Sequence, residues 1–141
     1  MPASRRNPHF AGVALQRSLP PAGVGYAHMP ELGGLRKPQP DSINSGLRNV
    51  GFRGYADYMQ TDEFWAGIDR LMSLSPRTAI MCAEAVPWKC HRSLVADALT
   101  VRGVEVRHIT GAAAPALHEL TSFGRVADGR ITYPPPDTLP L

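Results

Sequence analysis

Met81-Cys82-Ala83-Glu84-Ala85-Val86-Pro87-Trp88-Lys89-Cys90-His91-Arg92 is the stretch on which the fold turns. It gathers both cysteines of the chain with a glutamate, a histidine and an arginine, between an apolar run and a helical one. Residues 78–82 read as a short buried strand and residues 93–101 as an amphipathic helix. In open α/β sheets, ligands bind where a strand's carboxyl end meets the amino end of the following helix. The pattern therefore predicts an α/β fold with its site in this turn.

Moving outward, Gly103 reads as the stop of that helix. Val104 and Val106 then alternate with Glu105 and Arg107, a half-buried strand ending at His108. Strand, helix and strand in this order imply a right-handed parallel crossover. Upstream, Thr61 is placed to cap a helix in which Phe64, Ile68, Leu71 and Met72 fall at helical spacing, closed by Ser75-Pro76. Trp65 flanks that stripe as a packing residue, and residues 52–59 read as helical as well. Residues 34–51, rich in Gly, Pro, Ser and Asn, form a long loop of the kind that is often functional. Nearer the start, Asn7-Pro8 opens a short helix carrying Phe10, Val13, Ala14 and Leu15, and residues 24–28 read as a strand. Toward the end, residues 114–120 read as helix and 130–133 as a strand, before Pro134-Pro135-Pro136 opens a tail.

Composition sets the class. The chain has 141 residues, enough for one domain with a sizeable core, and its 43% hydrophobic content is that of a globular protein. The division expected is a single domain over residues 1–133 with a Pro-rich tail over 134–141. No apolar run approaches the roughly 18–20 residues that span a bilayer, and the basic start has no secretory apolar segment behind it. The expectation is a cytoplasmic protein, without a membrane partner, whose two cysteines are free thiols. Charge is uneven: Arg5, Arg6, Arg17, Arg36, Lys37, Arg48 and Arg53 face only Glu31 and Asp41 within residues 1–53. Such a basic lobe suits a phosphate-bearing partner, although no interleaved aromatics support a nucleic-acid strand.

Within the turn, Cys90 falls at or beside the helix start, where unpaired amides, the helix dipole and Arg92 favour a thiolate. It is the candidate nucleophile, with His91 as base or partner; the plainer reading is a small buried residue at a tight turn. Glu84, just past the strand end, stands where acid–base carboxylates are often placed. Arg92 and the helix-start amides make an anion site, and Gly33-Gly34 would let backbone approach the ligand closely. Arg5, Arg6 and Asn7 are candidates for the rim of that pocket. A zinc set can be drawn from Cys82, Cys90, His91 and His108, but the Cys-x7-Cys-His spacing matches no common zinc pattern, so neither metal nor cofactor is expected.

The segments Cys82-Ala83-Glu84 and Cys90-His91-Arg92 resemble the hallmark of the domain of unknown function 488 (DUF488) family. Residues 4–10, Glu31-Leu32-Gly33-Gly34, Phe52-Arg53-Gly54-Tyr55, residues 103–109 and Ile131-Thr132-Tyr133 extend the likeness over nearly the whole chain. The resemblance implies a three-layer, Rossmann-like, mostly parallel sheet. Members of that family typically open with a strand, a helix and a second strand bearing Asp-Val-Arg, all ahead of the position of Ser4. The chain therefore reads as N-terminally truncated, with a sheet edge beside residues 78–82 open to oligomer formation. The missing Asp and Arg would lie near the turn.

Three functions follow as expectations. The first is an anion-binding pocket at residues 82–92 for a phosphate-bearing small molecule or nucleic acid, with enzymatic chemistry on Cys90 or Glu84. The second is a non-enzymatic nucleic-acid-binding module using the basic first third. The third is a thiol or sulfur-transfer protein.

Overall fold

The computed structural model describes residues 8–74, 76–82 and 90–135. The chain divides into two compact units, Met1–Pro30 and Glu31–Leu141. In the first, a 3-10 turn at Pro8–Phe10 leads into α1 (Gly12–Ser18), which buries Leu15, and a second 3-10 turn follows at Pro20–Ala22. Residues 24–28, expected as a strand, have no regular secondary structure.

In the second unit, the first two α-helices start where the sequence supplies a side-chain cap. Asn49 Oδ1 accepts from the Phe52 amide at 3.1 Å and opens α2 (Val50–Tyr58). Thr61 Oγ1 accepts from the Phe64 amide at 3.2 Å and opens α3 (Asp62–Met72). Asp62 and Glu63 in its first turn and Arg70 in its last complement the helix dipole. Between these helices, Tyr55, Tyr58, Phe64 and Trp65 pack edge to face, with ring centroids 5.3–6.0 Å apart. The Trp65 indole donates to the Met59 carbonyl at 2.7 Å, so its role in packing is as expected.

The long loop is present but pinned. Asp57 accepts from the Gln39 amide, Ser42 Oγ and Asn44 Nδ2 at 2.7–2.8 Å. Asn44, fully buried, accepts in turn from the Tyr133 amide at 2.9 Å. One carboxylate and one amide thus fix the loop to α2 and to the end of the last strand.

The fourth helix, α4 (Arg92–Val101), buries every residue from Leu94 to Leu99 and is therefore central rather than one-sided. Gly103, at φ +81°, ends it in the left-handed conformation that glycine tolerates best. The one polar residue in that buried run, Asp97, is fully enclosed. Its carboxylate accepts four hydrogen bonds: Oδ1 from His118 Nε2 at 2.7 Å and the Thr121 amide at 3.2 Å, Oδ2 from Thr121 Oγ1 and the Tyr133 hydroxyl, each at 2.7 Å. Burial, with the adjacent Asp97 charge, raises the Tyr133 phenol, so Tyr133 stays a donor.

Among the described residues, the expected three-layer, mostly parallel sheet does not form. The described strands are β1 (Arg107–His108), β2 (Ala116–Leu117), β3 (Arg125–Ala127) and β4 (Arg130–Thr132). They make two antiparallel two-stranded sheets, β1–β2 and β3–β4, the second closed by Asp128 and Gly129 at positive φ. Residues 78–82 lie in neither sheet, and Ile80 and Met81 are 37% and 52% exposed. An apolar run becomes a parallel-sheet strand only when neighbours take up its backbone groups, and none of the described strands does so. Residues 114–120, expected as helix, instead supply β2: pairing to β1 overrides the helical propensity of alanine and leucine. The expected strand over 130–133 is β4, and the tail from residue 136 lies outside the described residues. No described helix is long and apolar enough to cross a membrane.

Removing Asp97 should cost far more than removing one of its donors. Asp97→Ala strands buried donors from three residues and is expected to lose about 3–5 kcal/mol. Tyr133→Phe deletes a single bond to a charged acceptor and is expected to lose about 1.5–3 kcal/mol. Urea unfolding measures both, and equal losses from the two variants would contradict this account of the core.

Candidate functional site

Cys90 stands one residue before His91, the N-cap of α4, which makes no side-chain capping bond of its own. The cysteine sulfur serves instead: the Arg92 amide donates to Cys90 Sγ at 3.4 Å. His91 Nδ1 lies 3.6 Å from the same sulfur, and Cys82 Sγ only 2.8 Å away. The two cysteines are thiols rather than a disulfide, Cys90 buried and Cys82 partly exposed. Burial pushes the Cys90 thiol up, but hydrogen bonds from His91, from Cys82 and from the Arg92 amide and side chain outweigh it, and the thiol is pulled down from 9.0 to about 6. At neutral pH, Cys90 is thus mostly thiolate with Cys82 as donor to it.

The glycine pair has a place beside this sulfur. A Cβ on Gly34 would come within 3.1 Å of His91 Nδ1, so a larger residue would press on that ring. The other side of the ring rests on Tyr55, centroids 5.0 Å apart. Tyr55 is itself tied by its hydroxyl to the Leu32 carbonyl at 2.7 Å, and its phenol is raised chiefly by burial. Arg36 Nε donates to the Gly33 carbonyl at 3.3 Å while its guanidinium lies 3.7 Å over the Tyr58 ring. These contacts set the Gly33–Gly34 backbone against the His91 ring, where the sequence suggested a close approach to a ligand. Glu84, Arg5, Arg6 and Asn7 lie outside the described residues.

Arg92 also faces a cavity of about 400 Å³, whose walls include Leu71, Leu99, Val104, Ile109 and His108. His108 does not join the cysteines, as the zinc set drawn from the sequence required. Its Nε2 lies 2.7 Å from His118 Nδ1, and His118 Nε2 lies 2.7 Å from Asp97 Oδ1. Among the described residues, no three histidine, cysteine or acidic side chains converge on a metal position. Burial, His118 and Arg92 push His108 below 6.5, and Asp97 only partly offsets them.

Asp97 and His118 are the residues sequence reasoning missed. Asp97 carried a signal, a lone carboxylate inside the apolar run of residues 94–99. His118 carried none, since it fell in a segment read as helix.

These features define a class: a mainly helical protein with a stabilised thiolate at a helix start and a carboxylate–imidazole chain ending at a cavity. The chain belongs to the DUF488 family, whose model, "Domain of unknown function DUF488", matches residues 1–99. That span includes Cys82, Cys90, Arg92 and Asp97 but stops short of His108 and His118. No curated protein and no solved structure shows significant similarity to the chain.

The thiolate is expected in a titration of its ultraviolet absorbance. The difference between the native protein and Cys90→Ser should have its midpoint near 6, and a midpoint near 9.0 would refute the site's electrostatics. The folded value lies below the unfolded one, so this group's stabilisation is complete above about 9 and lost as pH falls through about 6. Cys90→Ser should flatten the rise of stability with pH across that window.

Proposed function

We propose that the protein is a thiol–disulfide oxidoreductase whose working couple is Cys82–Cys90. The observation that carries this reading is the 2.8 Å approach of the two sulfurs, with the Cys90 thiolate held by His91 and Arg92. Favouring the thiolate stabilises the reduced form, which makes the disulfide form the stronger oxidant. Exposure divides the roles. A substrate thiolate attacks Cys82 Sγ, the more accessible sulfur; the bond to Cys90 breaks, and Cys90 leaves as its stabilised thiolate. The substrate's second thiolate then attacks its own sulfur in the mixed disulfide, and Cys82 leaves and takes up a proton. The substrate loses two electrons as its disulfide forms, the protein pair gains them, and the second substrate proton passes to solvent. A small-molecule disulfide re-oxidises the pair by the reverse exchange.

The proposal places the protein in the cytoplasm, where the dithiol is the resting state and the disulfide is transient. Arg92 then serves the Cys90 thiolate, the anion that this reading puts at the turn of residues 82–92. The nucleic-acid reading of the basic first third draws no support from a specific observation, since Arg5 and Arg6 lie outside the described residues. It predicts binding that falls steeply with added salt.

Equilibration in glutathione buffers of graded ratio tests the proposal. Mass spectrometry should find an intramolecular Cys82–Cys90 disulfide that forms reversibly. Cys90→Ser should trap a glutathione adduct on Cys82, and Cys82→Ser should form one on Cys90 more slowly. A pair that never closes at any glutathione ratio would defeat the reading.

A further inference from the structure

The chain Asp97–His118–His108 is unexplained by thiol chemistry, and its geometry fixes where protons sit. Both Asp97 oxygens accept two hydrogen bonds each, so His118 carries a hydrogen on Nε2, and the neutral form of the ring presents Nδ1 as an acceptor. His108 must then donate from Nε2 across the 2.7 Å to His118, which leaves His108 Nδ1 as its basic nitrogen. A carboxylate that orients an imidazole in this way sets its tautomer and prepares it to accept a proton.

His108 and Arg92 share the walls of the same cavity. At about 400 Å³, that cavity is within the range of small-molecule sites, and most of its wall is apolar, with Leu71, Leu99, Val104 and Ile109 among the residues. The cavity also touches Arg107 and Glu105, which are paired with each other, so Arg92 and His108 in a mostly apolar lining suit a ligand with an apolar body and one oxyanion. Within α4, Arg92, Ala96 and Leu99 recur at helical spacing on the cavity side, so the helix that buries Asp97 also aims Arg92.

We propose that this cavity is a second site, which binds a small apolar oxyanion, a carboxylate or phosphate ester, through Arg92 and moves a proton through His108. A proton taken from solvent as the ligand binds enters at His108 Nδ1. The Nε2 proton passes to His118 Nδ1, and the imidazolium so formed rests on the Asp97 carboxylate. No charge is left unbalanced along the chain. His108 is the acid–base group; His118 and Asp97 are positioning residues that act through it.

The charges that face His108 define its pH response. They are His118 on the segment after β2, and Arg92 and Asp97 on α4. Along its own strand, Arg107 is engaged by Glu105 at 2.6 Å. Arg92 and His118 disfavour the protonated ring, so neutral His108 awaits the ligand. An oxyanion bound to Arg92 offsets that repulsion, and binding therefore draws a proton onto His108.

Phenyl phosphate and benzoate are suitable probes, the pair separating phosphate from carboxylate preference. Calorimetry in buffers of different ionisation enthalpy near pH 6 should show binding of at least one probe with a dissociation constant below about 1 mM, accompanied by proton uptake. His108→Gln should abolish the uptake, and Arg92→Gln should weaken binding by about tenfold or more. Binding should persist in Cys90→Ser, so failure of the thiol reading leaves this one standing, and the reverse holds as well. Nitrogen NMR of the unaltered protein gives a test independent of any variant: His108 and His118 should both be Nε2-protonated near neutral pH. An Nδ1-protonated His108, no binding of either probe, or undiminished proton uptake in His108→Gln would overturn the proposal.

Discussion

The structure depends on the burial of one carboxylate. Asp97 has no exposed surface, and an ionised carboxylate so placed is tolerated only when its acceptor sites are filled. The sequence fills them from two places: His118 and Thr121 on the segment after β2, and Tyr133 after β4. Each of these two segments is thereby drawn against α4. Tyr133 brings the end of β4, whose backbone also holds Asn44 and thereby the long loop; His118 brings β2 and, through it, β1. With sheets this short, ladder hydrogen bonds cannot organise the unit, and a satisfied polar core does so instead.

The same helix links architecture to chemistry. α4 is buried nearly all round, so its axial position and rotation are fixed, and its first turn inherits that precision. Cys90 caps its start through sulfur, and Arg92 follows in the first turn, where amide and side chain both serve the thiolate. A buried thiolate needs donors as a buried carboxylate does. The two anions, one at the helix start and one in its middle, are met by the same device: imidazole, amide and a neutral S–H or O–H.

What the sequence disclosed follows from the range of the forces involved. Thr61 and the stripe Phe64, Ile68 and Leu71 announce α3 because capping and helical spacing are local, and the structure reproduces them. Gly34 against His91 was legible as a glycine pair before a ligand, although the neighbour it admits proved to be a side chain. The sheet was not legible. Residues 78–82 have the composition of a buried strand, but whether they become one depends on partners distant in the chain. Residues 114–120 have helical propensity that a two-residue pairing with β1 overrides. Asp97 was visible as an anomaly, yet its partners lie 21 to 36 residues away and nothing local names them.

Arg92 joins the two proposed sites, and its position has a thermodynamic consequence. Its side chain lowers the Cys90 thiol and the same residue lines the cavity before His108. An oxyanion in the cavity competes with the Cys90 thiolate for that charge. The thiol rises as the cavity fills, and the Cys82–Cys90 disulfide becomes a weaker oxidant. Linkage requires the converse: oxidation of the pair removes the thiolate that competes for Arg92, and so tightens the oxyanion. Under the two proposals, the oxidised protein is therefore the form that holds its ligand best, and reduction releases it. A site at a helix start would then report on the redox state of the sulfurs it caps, through one guanidinium and without any change of fold.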